Sequence, residues 1–256
     1  MALEPYNPRF YDAYFTGVEG EVDFYVEEAV DAGGPILELG CGTGRVLLPV
    51  ARAGIEISGL DIDGRLLDLL REKITQGDPV VADRVDLFQA DMTAFDLKRI
   101  YKAVIIPYRA FQHLLTPSDQ RDALLCISRH LERGGRLVFN TYDPLADIAR
   151  DGFSSPVRKD SDFIDGQTGH TLVAYFSRQL DPEVQIIEQE FVFEEFDSIG
   201  QSLGRWSNLL QLRWTGAEEM RLLLAACGFQ VEALYGDFLG ADYVGYGEQV
   251  WVTSKA

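Results

Sequence analysis

The chain has 256 residues, 46% of them hydrophobic, and a formal net charge of −18. That length suits one sizeable α/β domain with an insertion, and a strongly acidic balance without a basic stripe argues against nucleic acid as a partner. No apolar run approaches the roughly 18 residues of a membrane span, and the polar, proline-bearing stretch 1–10 has no signal-peptide core, so a cytoplasmic protein is expected.

Residues 7–20 are dense in aromatics: Phe10, Tyr11, Tyr14 and Phe15. Val22–Ala32 has the apolar spacing of an amphipathic helix and is stopped by Gly33-Gly34-Pro35. Ile36, Leu37 and Leu39 then form a short apolar strand, followed by glycines at 40, 42 and 44 and a helix from Arg45 to Ala53. Glycines at alternate positions strip side chains from the turn, so a ligand can lie against its backbone. The dinucleotide pattern G-x-G-x-x-G fails, because the sixth position from Gly40 is Arg45 and from Gly42 is Leu47. A plain strand-to-helix turn is the alternative.

With Glu38 ahead of Gly40-Cys41-Gly42-Thr43-Gly44, the stretch resembles the first motif of class I S-adenosylmethionine-dependent methyltransferases, an acid followed by G-x-G-x-G. The resemblance implies S-adenosyl-L-methionine as cofactor and S-adenosyl-L-homocysteine as product; no metal is expected, for want of metal-ligand spacing among the cysteines and histidines. It assigns Glu38, Gly40, Cys41, Gly42, Gly44 and Arg45 to the cofactor. In such enzymes an N-terminal aromatic segment often serves as a lid, which would bring Tyr14 to the cofactor; stapling of the first helix is the equal alternative.

The next strand, Ile55–Leu60, ends in Asp61. A carboxylate there can accept hydrogen bonds from both hydroxyls of an adenosine ribose, and Asp61 with Ile62 joins the expected cofactor set. Asp63 fits the N-cap of the following helix, Arg65–Gln76, better than Asp61 does. A third strand, Val85–Gln89, leads to Asp91 and Met92, where the resemblance places an acid on the adenine amino group and a backbone N–H on a ring nitrogen.

The fourth strand, Ala103–Pro107, delivers Tyr108, Arg109 and His113 to the edge where an open α/β sheet gathers its ligands. Methyltransferases acting on nucleobase amines carry Asn or Asp, two prolines and an aromatic here; Ile105-Ile106-Pro107-Tyr108 lacks the polar member, which argues against such acceptors. His113 is the candidate general base or else a structural residue. Arg109 either anchors an acidic acceptor or pairs with a carboxylate of this acidic chain. Tyr14, Tyr108, Arg109 and His113 are the expected acceptor surround.

A helix at Ser118–His130, the turn Arg133-Gly134-Gly135 and a fifth strand, Arg136–Asn140, complete the first core segment. Residues 152–161 read as a loop. Strand patterns follow at Thr171–Leu180, Val184–Phe193 and Ser202–Leu212, an inserted antiparallel β-layer expected over the carboxyl edge of the main sheet. It would shape the acceptor pocket or form a homodimer contact. The core returns with helix Ala217–Cys227, strand Phe229–Leu234, a loop, and strand Gln249–Ser254. Two last strands without a helix between them imply an antiparallel hairpin, which the resemblance also implies and a nicotinamide-binding sheet lacks.

The expected fold is therefore α/β, a doubly wound Rossmann-like seven-stranded sheet ending in an antiparallel hairpin. Residues 1–150 form the core with its N-terminal lid, 151–213 the inserted β-layer, and 214–256 the return. The scattered cysteines (41, 126, 227) and histidines (113, 130, 170) show no metal-ligand spacing. The resemblance is strongest to small-molecule methyltransferases of the amine and aminosugar type. It implies transfer of a methyl group to a nitrogen or oxygen of a small-molecule acceptor. A non-catalytic adenosylmethionine-binding or assembly module is the alternative, and a nicotinamide oxidoreductase the third.

Overall fold

The computed structural model describes residues 8–166 and 168–256. The expectation drawn from stretch 1–10, that no leader core is present, lies for residues 1–7 outside the described residues. The chain divides into two compact units, one built from residues 17–144 and 215–256, the other from the N-terminal segment and residues 145–214.

The larger unit is a seven-stranded sheet. Its strands are β1 (Ile36–Leu39), β2 (Ile57–Asp61), β3 (Val85–Gln89), β4 (Tyr101–Ile106), β5 (Leu131–Asp143), β10 (Phe229–Tyr235) and β11 (Gly247–Lys255), in the spatial order β10-β11-β5-β4-β1-β2-β3. β1 to β5 are mutually parallel, and β11 runs antiparallel to both its neighbours, which is the terminal hairpin. The helices are α2 (Glu21–Ala32), α3 (Leu47–Arg52), α4 (Gly64–Gln76), α5 (Pro79–Ala82), α6 (Pro117–His130) and α8 (Ala217–Ala226), with a 3-10 turn at Ala110–His113.

Strands covered on both faces need apolar side chains at every position, so β1 and β4 read as near-continuous runs rather than alternations. Residue parity then sorts the core into two layers. Leu37, Leu39, Val104, Ile106 and Phe139 meet Leu124, Ile127, Met220 and Leu224 of α6 and α8. Ile36, Ile57, Ala103, Ile105 and Val138 meet Tyr25, Ala29, Leu47, Leu67 and Leu70 of α2, α3 and α4. The strand order reverses between β1 and β4, so their carboxyl ends flank the switch point where such sheets open a crevice.

The smaller unit is a four-stranded antiparallel meander, β6 (Ser154–Ile164), β7 (Thr171–Asp181), β8 (Ile186–Phe196) and β9 (Ser202–Arg213), with helices α1 (Pro8–Tyr14) and α7 (Leu145–Asp151). Two sequence expectations change here. Residues 152–161 are mostly strand rather than loop: β6 is an edge strand with nearly every side chain exposed, so it carries no apolar alternation to detect. Residues 8–16 group with the β-layer rather than with the core. The Phe10 ring packs on Phe193 and Trp206, and those of Tyr14 and Phe15 on Phe191. The aromatic density was visible in sequence; which surface it would cover was not. Among the described residues, no helix is long and apolar enough to cross a membrane.

Candidate active site

The glycine turn is laced to the end of β2. Gly40 and Cys41 both donate their N–H to the Leu60 carbonyl, at 2.7 and 3.1 Å. Gly42 donates to Asp61 Oδ2 at 2.8 Å, and Asp61 Oδ1 accepts the Asp63 N–H at 2.9 Å. Gly40, Gly42 and Gly44 have φ of 70°, 51° and 87°, the left-handed region that other residues enter at a cost. Close approach demands glycine as well. A Cβ on Gly40 would lie 2.7 Å from that of Ala110, and one on Gly44 would collide with Leu70.

Three carboxylates converge on this turn with little water: Glu21 (0% exposed), Glu38 (2%) and Asp61 (8%). Burial pushes the Glu38 carboxyl well above its ordinary range, although Arg45 pulls it down. Its Oε2 is buried without a hydrogen-bond partner. Burial also raises Asp61, against the hydrogen bonds from Asp63 and Gly42 that favour its charged form. Asp63, not Asp61, caps α4, by accepting the Arg65 N–H. Ile62, between them, exposes 68% of its surface at the end of β2. Asp91 is exposed and accepts the N–H and hydroxyl of Thr93 at 2.8 Å each, while Met92 leans on the core. The Cys41 thiol packs into the core, where burial raises its pKa, so only the backbone of that residue is available to a ligand.

The end of β4 is built differently. Tyr108 and Arg109 both have positive φ, 53° and 63°, although neither is glycine. Such pairs of bulky residues mark functional strain when the surroundings hold them. Here the Tyr108 N–H donates to Glu21 Oε1 at 2.6 Å and the Arg109 N–H to Asn140 Oδ1 at 3.2 Å. The Arg109 guanidinium pairs with Glu248 of β11 at 2.6 Å and lies over the Tyr142 ring. Asn140 Nδ2 donates to the same Glu248, at 2.6 Å, and the Tyr25 hydroxyl donates to Asn140 Oδ1 at 3.1 Å. This is the carboxylate pairing that one of the two sequence readings of Arg109 expected. Gln112 then bonds both the N–H and the carbonyl of Tyr142, pinning the 3-10 turn to β5. His113, half-buried at the end of that turn, has its pKa lowered by desolvation to about 4.

The structure thus bonds the glycine turn to Asp61, with the buried Glu38 carboxyl close enough to feel the charges of Arg45, Glu21 and Asp61. Arg45 adjoins this group by its ion pair with Glu21, at 2.5 Å, and by lying 4.9 Å from the Tyr108 ring centroid. Tyr14 belongs to the smaller unit, where its ring packs on Phe15, Phe163, Phe191 and Phe193 and its hydroxyl donates to Asp160. Sequence reasoning missed Glu21, Asn140 and Glu248. Glu21 reads as an ordinary acid in a first helical turn, and nothing local marks the other two.

Residues 36–135 match the family described as a methyltransferase domain. A putative methyltransferase of Bacillus subtilis, YqeM, is 24% identical over 241 residues, covering 90% of this chain and 87% of its own. The CcbJ methyltransferase of Streptomyces caelestis has the same fold, with a TM-score of 0.80 at 23% identity over 94% of this chain and 98% of its own. CalS10, an amino pentose methyltransferase of Micromonospora echinaspora solved with S-adenosylmethionine bound, gives 0.74 at 22% identity over the full length of both chains.

Proposed function

We propose that the chain, whose residues 36–135 match the methyltransferase-domain family, is a class I S-adenosylmethionine-dependent methyltransferase that methylates a nitrogen or oxygen of a small molecule, and that the preferred acceptor is an amine. The observation that carries this is the Arg109–Glu248 ion pair. With its charge neutralised by Glu248, Arg109 no longer offers an anchor for an anionic acceptor. The whole chain carries a formal net charge of −18, and such a field concentrates cations. The resemblance to a methyltransferase acting on an amino pentose agrees with this choice.

The residues fit the cofactor. A buried, unpartnered carboxylate oxygen on Glu38 beside a left-handed glycine turn suits a ligand that brings positive charge and N–H donors. When bound, S-adenosylmethionine supplies a methyl group activated on a sulfonium. Asp61 would hold the ribose hydroxyls, Ile62 would cover the adenine, Asp91 and the Met92 N–H would meet the adenine edge, and Glu38 with the glycine turn would take the amino-acid end. Tyr108, held in its strained conformation, orients the acceptor and excludes water; orientation alone can contribute roughly 7–11 kcal/mol. His113, with a pKa near 4, is too weak a base to hold the acceptor's proton at neutral pH. The amine therefore attacks as its free base.

The test is transfer from methyl-labelled S-adenosylmethionine to a panel of aminosugars, alkyl amines, phenols and carboxylic acids. Label on amine nitrogen is expected, with a rate that rises with pH towards the pKa of the amine. Exclusive labelling of anionic acceptors would overturn the amine assignment.

A further inference from the structure

Glu21 stands outside every motif, yet no side chain of the larger unit is more buried. Its two oxygens serve different halves of the crevice. Oε2 accepts from the Arg45 guanidinium at 2.5 Å and from the Val18 N–H at 3.2 Å; Arg45 directly follows the last glycine of the turn. Oε1 accepts the N–H of Tyr108, the first residue of the strained pair after β4, at 2.6 Å. Those partners lie 24 and 87 residues away in sequence.

The surroundings leave this carboxylate no freedom. Gly17, at φ 97°, has no room for a side chain, since a Cβ there would collide with the Arg45 guanidinium and come within 2.8 Å of Glu21 Oε2. The Arg45 guanidinium also rests over the Tyr108 ring. Moving Arg45 must either drag the carboxylate, and with it the Tyr108 amide, or leave a buried charge unpaired, which is strongly unfavourable.

We propose that Glu21 is a positioning residue that couples occupancy of the glycine turn to the conformation of the Tyr108–Arg109 turn, so that donor binding sets the acceptor side. The proposal rests on the glycine turn being the cofactor site. Coupling of this kind is reciprocal, so acceptor binding should tighten cofactor binding by the same factor.

Hydrogen exchange at the Tyr108 amide tests it without knowledge of the acceptor, using S-adenosylhomocysteine as the probe. In the wild-type protein, saturating probe should slow Tyr108 exchange about ten-fold or more, by tightening a charge-assisted bond. Glu21→Gln keeps a carbonyl oxygen for the Tyr108 N–H but turns an amide towards Arg45, and the gain should fall below about two-fold. Arg45→Met removes the other end of the link and should abolish the gain in the same way, with Glu21 intact, so the test survives if Glu21→Gln fails to fold. A purely structural role would lower thermal stability without touching the ligand-dependent change. Full slowing in both variants, or none in a wild-type protein that binds the probe, would overturn the coupling. Failure of the wild-type protein to bind the probe by calorimetry would instead overturn the cofactor assignment on which it rests.

Discussion

The two turns at the switch point solve the same geometric problem in opposite ways. After β1 the chain reaches the left-handed region with glycines, at Gly40, Gly42 and Gly44, and the backbone bears little strain. After β4 it reaches the same region with Tyr108 and Arg109, at a cost on the order of 1–3 kcal/mol each. There the compensation comes from Glu21, Asn140 and Glu248, none of them adjacent in sequence. The first turn is a backbone cradle that any chain could build with glycine. The second depends on side chains brought to it from three distant parts of the chain.

Breaking the glycine solution should have the largest effect. Gly42→Val forces a β-branched residue to φ 51° in the middle of the cradle. Affinity for S-adenosylhomocysteine should fall by about two orders of magnitude or more, together with a lower melting temperature. Calorimetry alongside circular dichroism separates the two effects, and wild-type affinity in a folded variant would show that the cradle is not the donor site. Asp61→Ala comes next. It removes the expected ribose bonds, roughly 1.5–3 kcal/mol or about ten- to hundred-fold in affinity. It also orphans the Gly42 and Asp63 N–H groups, so stability should fall as well. Asp61→Asn, which keeps an acceptor oxygen, should recover part of the stability but less of the affinity.

The side-chain solution can be taken apart at Arg109. Arg109→Ala keeps the backbone strain and leaves Glu248 without its guanidinium, and should cost about 2 kcal/mol in denaturant unfolding, allowing for the partial exposure of the arginine. Arg109→Gly loses the same pair but relieves φ 63°, and should be less destabilised than Arg109→Ala by about 1 kcal/mol. Equal stabilities would mean that the turn is not strained and that the contrast between the two turns is empty. If Glu21 couples the two turns, both changes should also weaken S-adenosylhomocysteine binding, by up to about ten-fold.

The smallest expected effect is at His113. Its pKa is about 4 in the folded protein against 6.5 for the free side chain. Between those values the unfolded chain binds the extra proton, so the stability contributed by the neutral ring is complete above 6.5 and is lost as pH falls through 4. His113→Gln should therefore lose less of its melting temperature than the wild type between pH 7 and pH 4.5. A catalytic role would announce itself elsewhere, as a shift in the acid limb of the pH–rate profile near neutrality, and we expect none.

What could be read from the sequence follows the same division. Strands β1 to β5, the terminal hairpin, the glycine turn and the acids at the ends of β2 and β3 are local features: a buried strand must be apolar, a left-handed turn favours glycine, and a carboxylate placed just after a strand sits at the sheet edge. These the 256 letters determined alone. Tertiary structure decided the partners. Glu21 finds Tyr108 across 87 positions and Arg109 finds Glu248 across 139, and no periodicity records which charge will meet which. It likewise made β6 a strand, because an exposed edge is defined by its hydrogen bonds to β7 and not by its own side chains. And it gave Phe10, Tyr14 and Phe15 to the β-layer, since hydrophobic burial is non-directional and an aromatic cluster settles on whichever apolar surface the folded chain presents.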